Sequence, residues 1–417
     1  MASGYIPVLV LAVVFLLIVF RKVGNFRVKI WQAMMIGAVA VLLTMQITPI
    51  DALFSINYDV MLFLFGMFVV GESMQESGYL RTLSHRLFRG AKSVSHIVLI
   101  SLFAFGLLSA LLMNDTLAIV GTPVVLGLAR RHSISPKLLL LTLAVAVTTG
   151  SVMSPIGNPQ NLLVATSGGF TSPFISFFQY LSIPTLISLG VAFLFLRFFY
   201  RFEFKKPVAV DEEENGPIDA RLVALSKIAL AVILLLVGVK IVLVALAPSI
   251  EVRLSYIALA AALPILLFSQ KRAEIVRSID WPTLFFFASM FILMASVWNS
   301  GVFQDLFISL DIDVTTVPSI MVIGLTLSQL ISNVPLVALY LPMLASTETS
   351  VVQMIALAAG STLAGNMLIL GAASNVIIVQ NAEKQGESLA FMEFARIGIP
   401  LTIVQSIVYM AFLLLVP

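Results

Sequence analysis

The chain has no cysteine, three histidines and only 11% charged residues in 417. The absence of thiols excludes disulfides, thiolate metal sites and cysteine nucleophiles. His85, His96 and His132 lie in or beside charged loops without metal-ligand spacing, and are expected to be solvated. Soluble domains carry about 25% charged residues. This chain has less than half that share and is 60% hydrophobic, with a mean hydropathy of +1.07. Lipid must be the solvent for most of it, which excludes a cytosolic enzyme, a nucleic-acid binder and a disordered protein. The formal charge of +3 then reads as a set of topology signals. Ala91-Lys92-Ser93 lacks the glycine that a phosphate-binding loop places before lysine. No histidine sits at membrane depth to support an embedded enzyme.

Apolar runs long enough to cross a bilayer begin near residues 5, 30, 58, 138, 176, 222, 254, 281, 351 and 397. Two more, about 96–130 and 317–347, are interrupted by Asn-containing clusters. Run 5–20 is followed by Arg21 and Lys22 without a cleavage site and reads as a retained span. All but Lys240 and Arg253 of the 24 Lys and Arg fall in clusters at 21–29, 81–92, 130–137, 197–227, 271–277 and 384–396. Loops 49–59, 299–316 and 347–350 carry only acids. The positive-inside rule puts the basic clusters in the cytoplasm. About ten crossings then make a multi-pass cell-membrane protein with both termini outside. Stretch 96–130 leaves from and returns to the basic side, and 317–347 returns to the acidic side. Each is a re-entrant hairpin or a pair of full spans.

The two halves align at polar landmarks. Met67-Phe68 matches Met290-Phe291 and Ser77-Gly78 matches Ser300-Gly301 by one offset. With small changes of offset, Asn114 matches Asn333, Pro123 matches Pro342, Gly157 matches Gly371, Asn161 matches Asn375, and Phe178, Ile183 and Pro184 match Phe394, Ile399 and Pro400. An odd number of crossings between copies inverts the second, which is a transporter pattern with the site near the midplane. The predicted organisation is a first repeat over 1–200, with a hairpin at about 96–130 and a broken helix at about 138–178. A cytoplasmic linker at 201–221, rich in acids at Asp211 to Glu214, joins it to a second repeat over 222–417. That copy has a hairpin at about 317–347 and a broken helix at about 351–385.

Four polar interruptions fall at membrane depth. They are 113–116, 154–161, 332–335 and 371–375. Backbone there must be buried in protein or line a wet cavity, because lipid cannot satisfy it. Asn, Asp, Ser and Thr cap helices and Pro suits the first turn. Each interruption therefore starts a half-helix, whose free N–H groups and dipole favour an anion. The candidate substrate contacts are Asn114, Thr116, Gly157, Asn158, Pro159, Asn161, Ser332, Asn333, Gly371, Ser374 and Asn375. Asp115 is far from Lys92 and Arg130, and a carboxylate at that depth suggests function. With Asn114 and Asn333 it is the candidate holder of a coupling cation, a sodium ion or a proton. Its repeat counterpart is Val334, so the tips differ. Glu72 is a further candidate nearer the basic face. Lys240 is expected to snorkel to the outer surface.

At these motifs the chain resembles the ion transporter superfamily, which spans arsenite permeases, sodium/proton antiporters, citrate and dicarboxylate–sodium symporters, and P protein type permeases. Asn114-Asp115-Thr116 with Thr122-Pro123 is similar to the first-hairpin signature of arsenite-permease relatives. Ser332-Asn333-Val334 resembles the Ser-Asn-Thr tip of the carboxylate symporters, with Val in place of Thr. Gly157-Asn158-Pro159-Gln160-Asn161 resembles their broken-helix loop. Gly371 to Asn375, Ala382 to Gly386 and Phe391 to Phe394 resemble the last part of the P protein and of citrate-transporter-like permeases. The resemblance implies an all-α fold of about ten transmembrane helices plus two re-entrant hairpins and two broken helices. It also implies a homodimer and an elevator-like movement. The expected function is secondary transport of a small anion, a carboxylate or inorganic oxyanion, coupled to sodium or protons, with no other cofactor. A cation/proton antiporter or an arsenite efflux permease is the alternative.

Overall fold

The computed structural model describes residues 5–20, 22–23, 26–88, 90–207, 218–246, 252–302, 304–305, 313–346 and 349–415. Arg21, Arg89, the acidic run of the linker and much of loop 299–316 lie outside the described residues. The first half contains α1 (Ile6–Phe20), α2 (Ile30–Leu43), α3 (Pro49–Ser55), α4 (Tyr58–Glu76), α5 (Tyr79–Phe88), α6 (Val94–Leu112), α7 (Asn114–Arg131), α8 (Pro136–Ser151), α9 (Pro159–Ser167) and α10 (Pro173–Phe199). The second contains α11 (Ala220–Leu246), α12 (Leu254–Phe268), α13 (Arg272–Ser278), α14 (Trp281–Asn299), α15 (Val317–Ile331), α16 (Asn333–Ala345), α17 (Val351–Leu363), α18 (Ala373–Lys384) and α19 (Phe391–Leu415). Apart from a ribbon pairing Lys22–Val23 with Phe26–Arg27, the described regular structure is helical, an all-α polytopic membrane protein.

Starts and stops follow local chemistry. Asn57 accepts from Val60 N and Asp280 from Thr283 N, capping α4 and α14 at related positions. Both helices end in Ser-Gly, with Gly78 at φ 74 and Gly301 at φ 75, the left-handed conformation that closes a helix. Pro123 and Pro342 lie inside α7 and α16, and Pro184 and Pro400 inside α10 and α19. Packing is reciprocal. α4 packs on α12 and α14 on α2; α7 packs on α18 and α16 on α9; α6 packs on α8, α15 on α17, and α10 on α19. Swapped pairs of this kind are what a two-fold relation between two copies produces.

By length and composition, α6, α10, α11, α14 and α19 can each cross a membrane, and the α3–α4 pair, bent by 54°, is a further candidate. The sequence reading expects about ten such crossings. The other expected runs, at α1, α2, α8, α12 and α17, are apolar helices of 10–17 residues, and α8 and α17 are continued past a break by α9 and α18. Three boundaries also move. α9 stops at Ser167, where Gly168 and the positive-φ Gly169 turn the chain, so the first broken helix ends short of 178. α19 begins at Phe391 rather than about 397, and α11 at Ala220, inside the expected linker. His132 is not solvated: it is 3% exposed at the C-cap of α7, drawn into the short turn to α8. The Lys240 ammonium donates to the Val252 carbonyl just before α12.

Candidate functional site

Two one-residue reversals make the hairpin tips. Met113 (φ 70, ψ 144) joins α6 to α7, and Ser332 (φ 65, ψ 155) joins α15 to α16. This conformation costs a residue with a Cβ about 1–3 kcal/mol and collects at functional sites. Its occurrence at both tips sets Asn114 and Asn333 as first residues of buried helices, each 3–4% exposed. Asp115 and Thr116 follow in the first turn of α7, each 4% exposed. Val334 is the apolar counterpart in α16.

The first break, Val152 to Asn158, is closed by two asparagines. Asn158 caps α9, its Oδ1 accepting from Asn161 N at 2.8 Å, while its amide donates to Ser151 Oγ at 2.9 Å. The Asn161 amide reaches back to the carbonyls of Ser151, Val152 and Ser154 at 3.0–3.1 Å. In the second break the Asn375 amide donates to the Gly365 carbonyl, the same tie at the repeat-related position. Each break also borrows from the opposite half. Thr362 donates to Asn161 Oδ1 at 3.0 Å and accepts from Asn158 and Gln160, both at 3.2 Å. Thr149 accepts from Asn366 at 2.9 Å and from Gln405 at 3.2 Å.

The first tip joins both breaks. Asn114 N–H donates to the Gly157 carbonyl at 2.9 Å, and its side-chain amide lies 3.5 Å from Ser374 Oγ. The N-termini of α7, α9 and α18 are thereby brought to one place. At the second tip, Val334 N donates to Asn333 Oδ1 at 2.9 Å, and among the described residues no bond ties Asn333 to Gly371. Nor does a hydrogen bond among them join Asn333 to Asn114 or Asp115, so the three expected cation holders are not assembled by direct contact. Ser332 and Gly371 border the second tip and break, where Gln329 donates to the Ala364 carbonyl at 2.7 Å.

Several buried side-chain oxygens around these segments lack a hydrogen-bond partner: Asn114 Oδ1, Thr116 Oγ1, Gln329 Oε1, Asn366 Oδ1 and Asn375 Oδ1. Buried polar groups are rarely left so, and acceptors of this type suit a hard cation or a ligand hydroxyl. Asn161, by contrast, directs its amide and its carbonyl oxygen into the protein. It holds the break in shape. Thr149, Thr362, Asn366 and Gln405, each fully buried or nearly so, were not singled out by the sequence reading. The available signal was a polar residue inside an otherwise apolar run.

Gly157 meets a close backbone approach: an added Cβ would lie 2.3 Å from the Ser151 carbonyl oxygen and 2.8 Å from its Cα. Backbone cannot yield as a side-chain end can. Gly157→Ala is expected to destabilise the protein by about 2 kcal/mol or more, read as a lower melting temperature in detergent; a wild-type melting temperature would refute this close packing.

The profile of the CitMHS family, described as citrate transporter, matches residues 15–353. An uncharacterized transporter of Mycobacterium tuberculosis is 27% identical over 422 residues, covering 95% of each chain. The silicon efflux transporter LSI3 of Oryza sativa subsp. japonica is 26% identical with 94% of each chain covered. The P protein of Homo sapiens is 24% identical over 97% of this chain, which spans 59% of that longer protein. In fold, the chain is similar to the YdaH transporter of Alcanivorax borkumensis, with TM-score 0.57 and 15% identity over 85% of this chain and 83% of that one. With a family match over most of its length, polar breaks held by reciprocal contacts and helices that span lipid, the chain is a membrane transport protein, not an enzyme, and belongs to the citrate transporter family.

Proposed function

We propose that this transporter is secondary active and moves a small anion, a carboxylate or inorganic oxyanion, coupled to sodium or protons. The observation that carries the reading is the meeting of three half-helix N-termini at Asn114. Their dipoles favour negative charge without a basic side chain to hold it permanently. The unpartnered amide oxygens and Asp115 supply the complementary cation site. Oxygen ligands on neutral groups plus one carboxylate suit a monovalent ion that must be released each cycle. Reciprocal packing of the two halves supports alternating access between related conformations. The family name makes citrate the first carboxylate to test, and the silicon named for the rice relative makes an uncharged hydroxylated solute a useful contrast.

The second reading, cation/proton antiport or arsenite efflux on the same scaffold, draws on Asp115 as sole ion carrier. Purified protein in liposomes, offered labelled citrate, sulfate, arsenite or sodium with sodium and pH gradients varied independently, separates the two. Uptake of an anion that requires an imposed cation gradient is expected. Sodium movement against protons with no anion transported would replace it.

A further inference from the structure

The second break opens with the 3-10 turn Ala364–Asn366, directly after α17. Asn366 is fully buried there. Its amide donates to Thr149 Oγ1 of α8 and to Gln405 Oε1 of α19, both at 2.9 Å. The Gln405 amide donates in turn to Thr149 Oγ1 and to the Ser188 carbonyl of α10, both at 3.2 Å. These bonds fix direction as well as position. A backbone carbonyl only accepts, so Ser188 holds the Gln405 nitrogen and leaves Oε1 facing Asn366. Oε1 also only accepts, so Asn366 must present its nitrogen. Asn366 Oδ1 is thereby turned away from these partners, and it is buried without a hydrogen bond.

The architecture does not demand these amides. Under the repeat, Asn366 corresponds to Val152 and Gln405 to Leu189, both 0% exposed. The first copy fills the related positions with hydrocarbon and avoids the cost of burying two amides. Further oxygen lies beside Asn366. Gly398 of α19 admits the Asn366 carbonyl so closely that an added Cβ would lie 2.3 Å from its oxygen. Thr402 follows at helical spacing on the same face, between Gly398 and Gln405, and its hydroxyl is likewise buried and unbonded.

We infer that Asn366 Oδ1 is a ligand of the coupling cation, that this cation is sodium, and that Gln405 is the positioning residue that keeps the oxygen turned toward it. The inference deepens the coupled-transport reading and rests on it. Neutral oxygens at an unwound helix suit a sodium ion, whereas an amide has no titratable group with which to carry a proton.

Melting of the purified protein in detergent, in sodium chloride or in choline chloride at equal ionic strength, reads this site without a substrate. Sodium is expected to raise the wild-type melting temperature, as any ligand of the folded state does. Gln405→Leu frees the Asn366 amide to turn. It should raise the sodium concentration at half effect about tenfold or more, the usual loss when a residue that orients a ligand is removed. Asn366→Ala removes the oxygen itself and should show the same loss, which keeps the site testable if Gln405→Leu yields little folded protein. Tyr409→Phe is the structural control. It breaks the 2.6 Å bond to Thr185 between α10 and α19 and leaves Asn366 and Gln405 bonded, so it should melt lower with the wild-type sodium response. Gln405→Leu or Asn366→Ala melting lower with an unchanged sodium response would show a structural network only and overturn the assignment. A wild-type melting temperature indifferent to sodium would overturn it too. Uptake in liposomes separates that failure from a wider one: uptake driven by a proton gradient would keep coupled transport without this site, and uptake indifferent to every cation gradient would remove the coupled-transport reading itself.

Discussion

Asp115→Asn is expected to abolish concentrative uptake while leaving substrate exchange. Asp115 is the one carboxylate at the two tips and the two breaks, and Val334 cannot replace it in the second copy. The neutral amide keeps the size of the side chain and the start of α7, so Asn114 can still reach Gly157 and Ser374. The anion-favouring helix ends remain. What disappears is the carboxylate charge that, in the proposed function, ties cation to substrate. Each net positive charge carried inward across about 100 mV supplies about 2.3 kcal/mol. At 1.4 kcal/mol per tenfold that sustains a gradient of roughly fiftyfold. Without a bound cation the steady-state ratio should drop to the passive limit. If the ion is a proton, the variant should lose the wild-type pH dependence; if sodium, it should lose the sodium dependence and keep its pH profile. A variant that still accumulates substrate with wild-type ion dependence would leave Asp115 as a helix cap.

Much of this site was legible because helix starts have chemical signatures. Asn114, Pro159 and Asn333 are cap or first-turn residues in runs that would otherwise continue, and each begins a helix in the structure. The repeat was legible for the same reason: Asn, Gly and Pro at breaks are informative where Leu and Val are not. The partners of those residues were not legible. Thr149 and Thr362 sit in the last turns of α8 and α17, where a sequence shows a tolerated hydroxyl and not that each serves the break of the other half. His132 misled because a loop address does not report burial when the loop is only a few residues long.

The asparagines Asn161 and Asn375 show best what pairing in space adds. Sequence alone assigns both to the ligand, and replacing either by Ala would then weaken binding with the fold intact. The structure separates them. Asn161 is fully buried, its amide faces three carbonyls and its oxygen accepts from Thr362. The Ser151 and Ser154 carbonyls keep bonds from Ser154 N and Gly157 N, but Asn161→Ala leaves the Val152 carbonyl and the Thr362 hydroxyl unsatisfied where lipid-depth burial keeps water away. At about 1–3 kcal/mol each, the loss is about 2–5 kcal/mol, enough to lower the melting temperature and reduce the yield of folded protein. Asn375 has one tie, to Gly365, and an unpartnered Oδ1. Asn375→Ala should cost about 1 kcal/mol of stability yet weaken apparent affinity for substrate or cation at least tenfold, since the removed oxygen had no protein partner to satisfy. Melting curves and concentration-dependent uptake, measured on both variants, give opposite profiles under this assignment. Asn161→Ala melting with wild type while binding weakly would return Asn161 to the ligand. Asn375→Ala with unchanged affinity for both ions and substrate would take Asn375 from it.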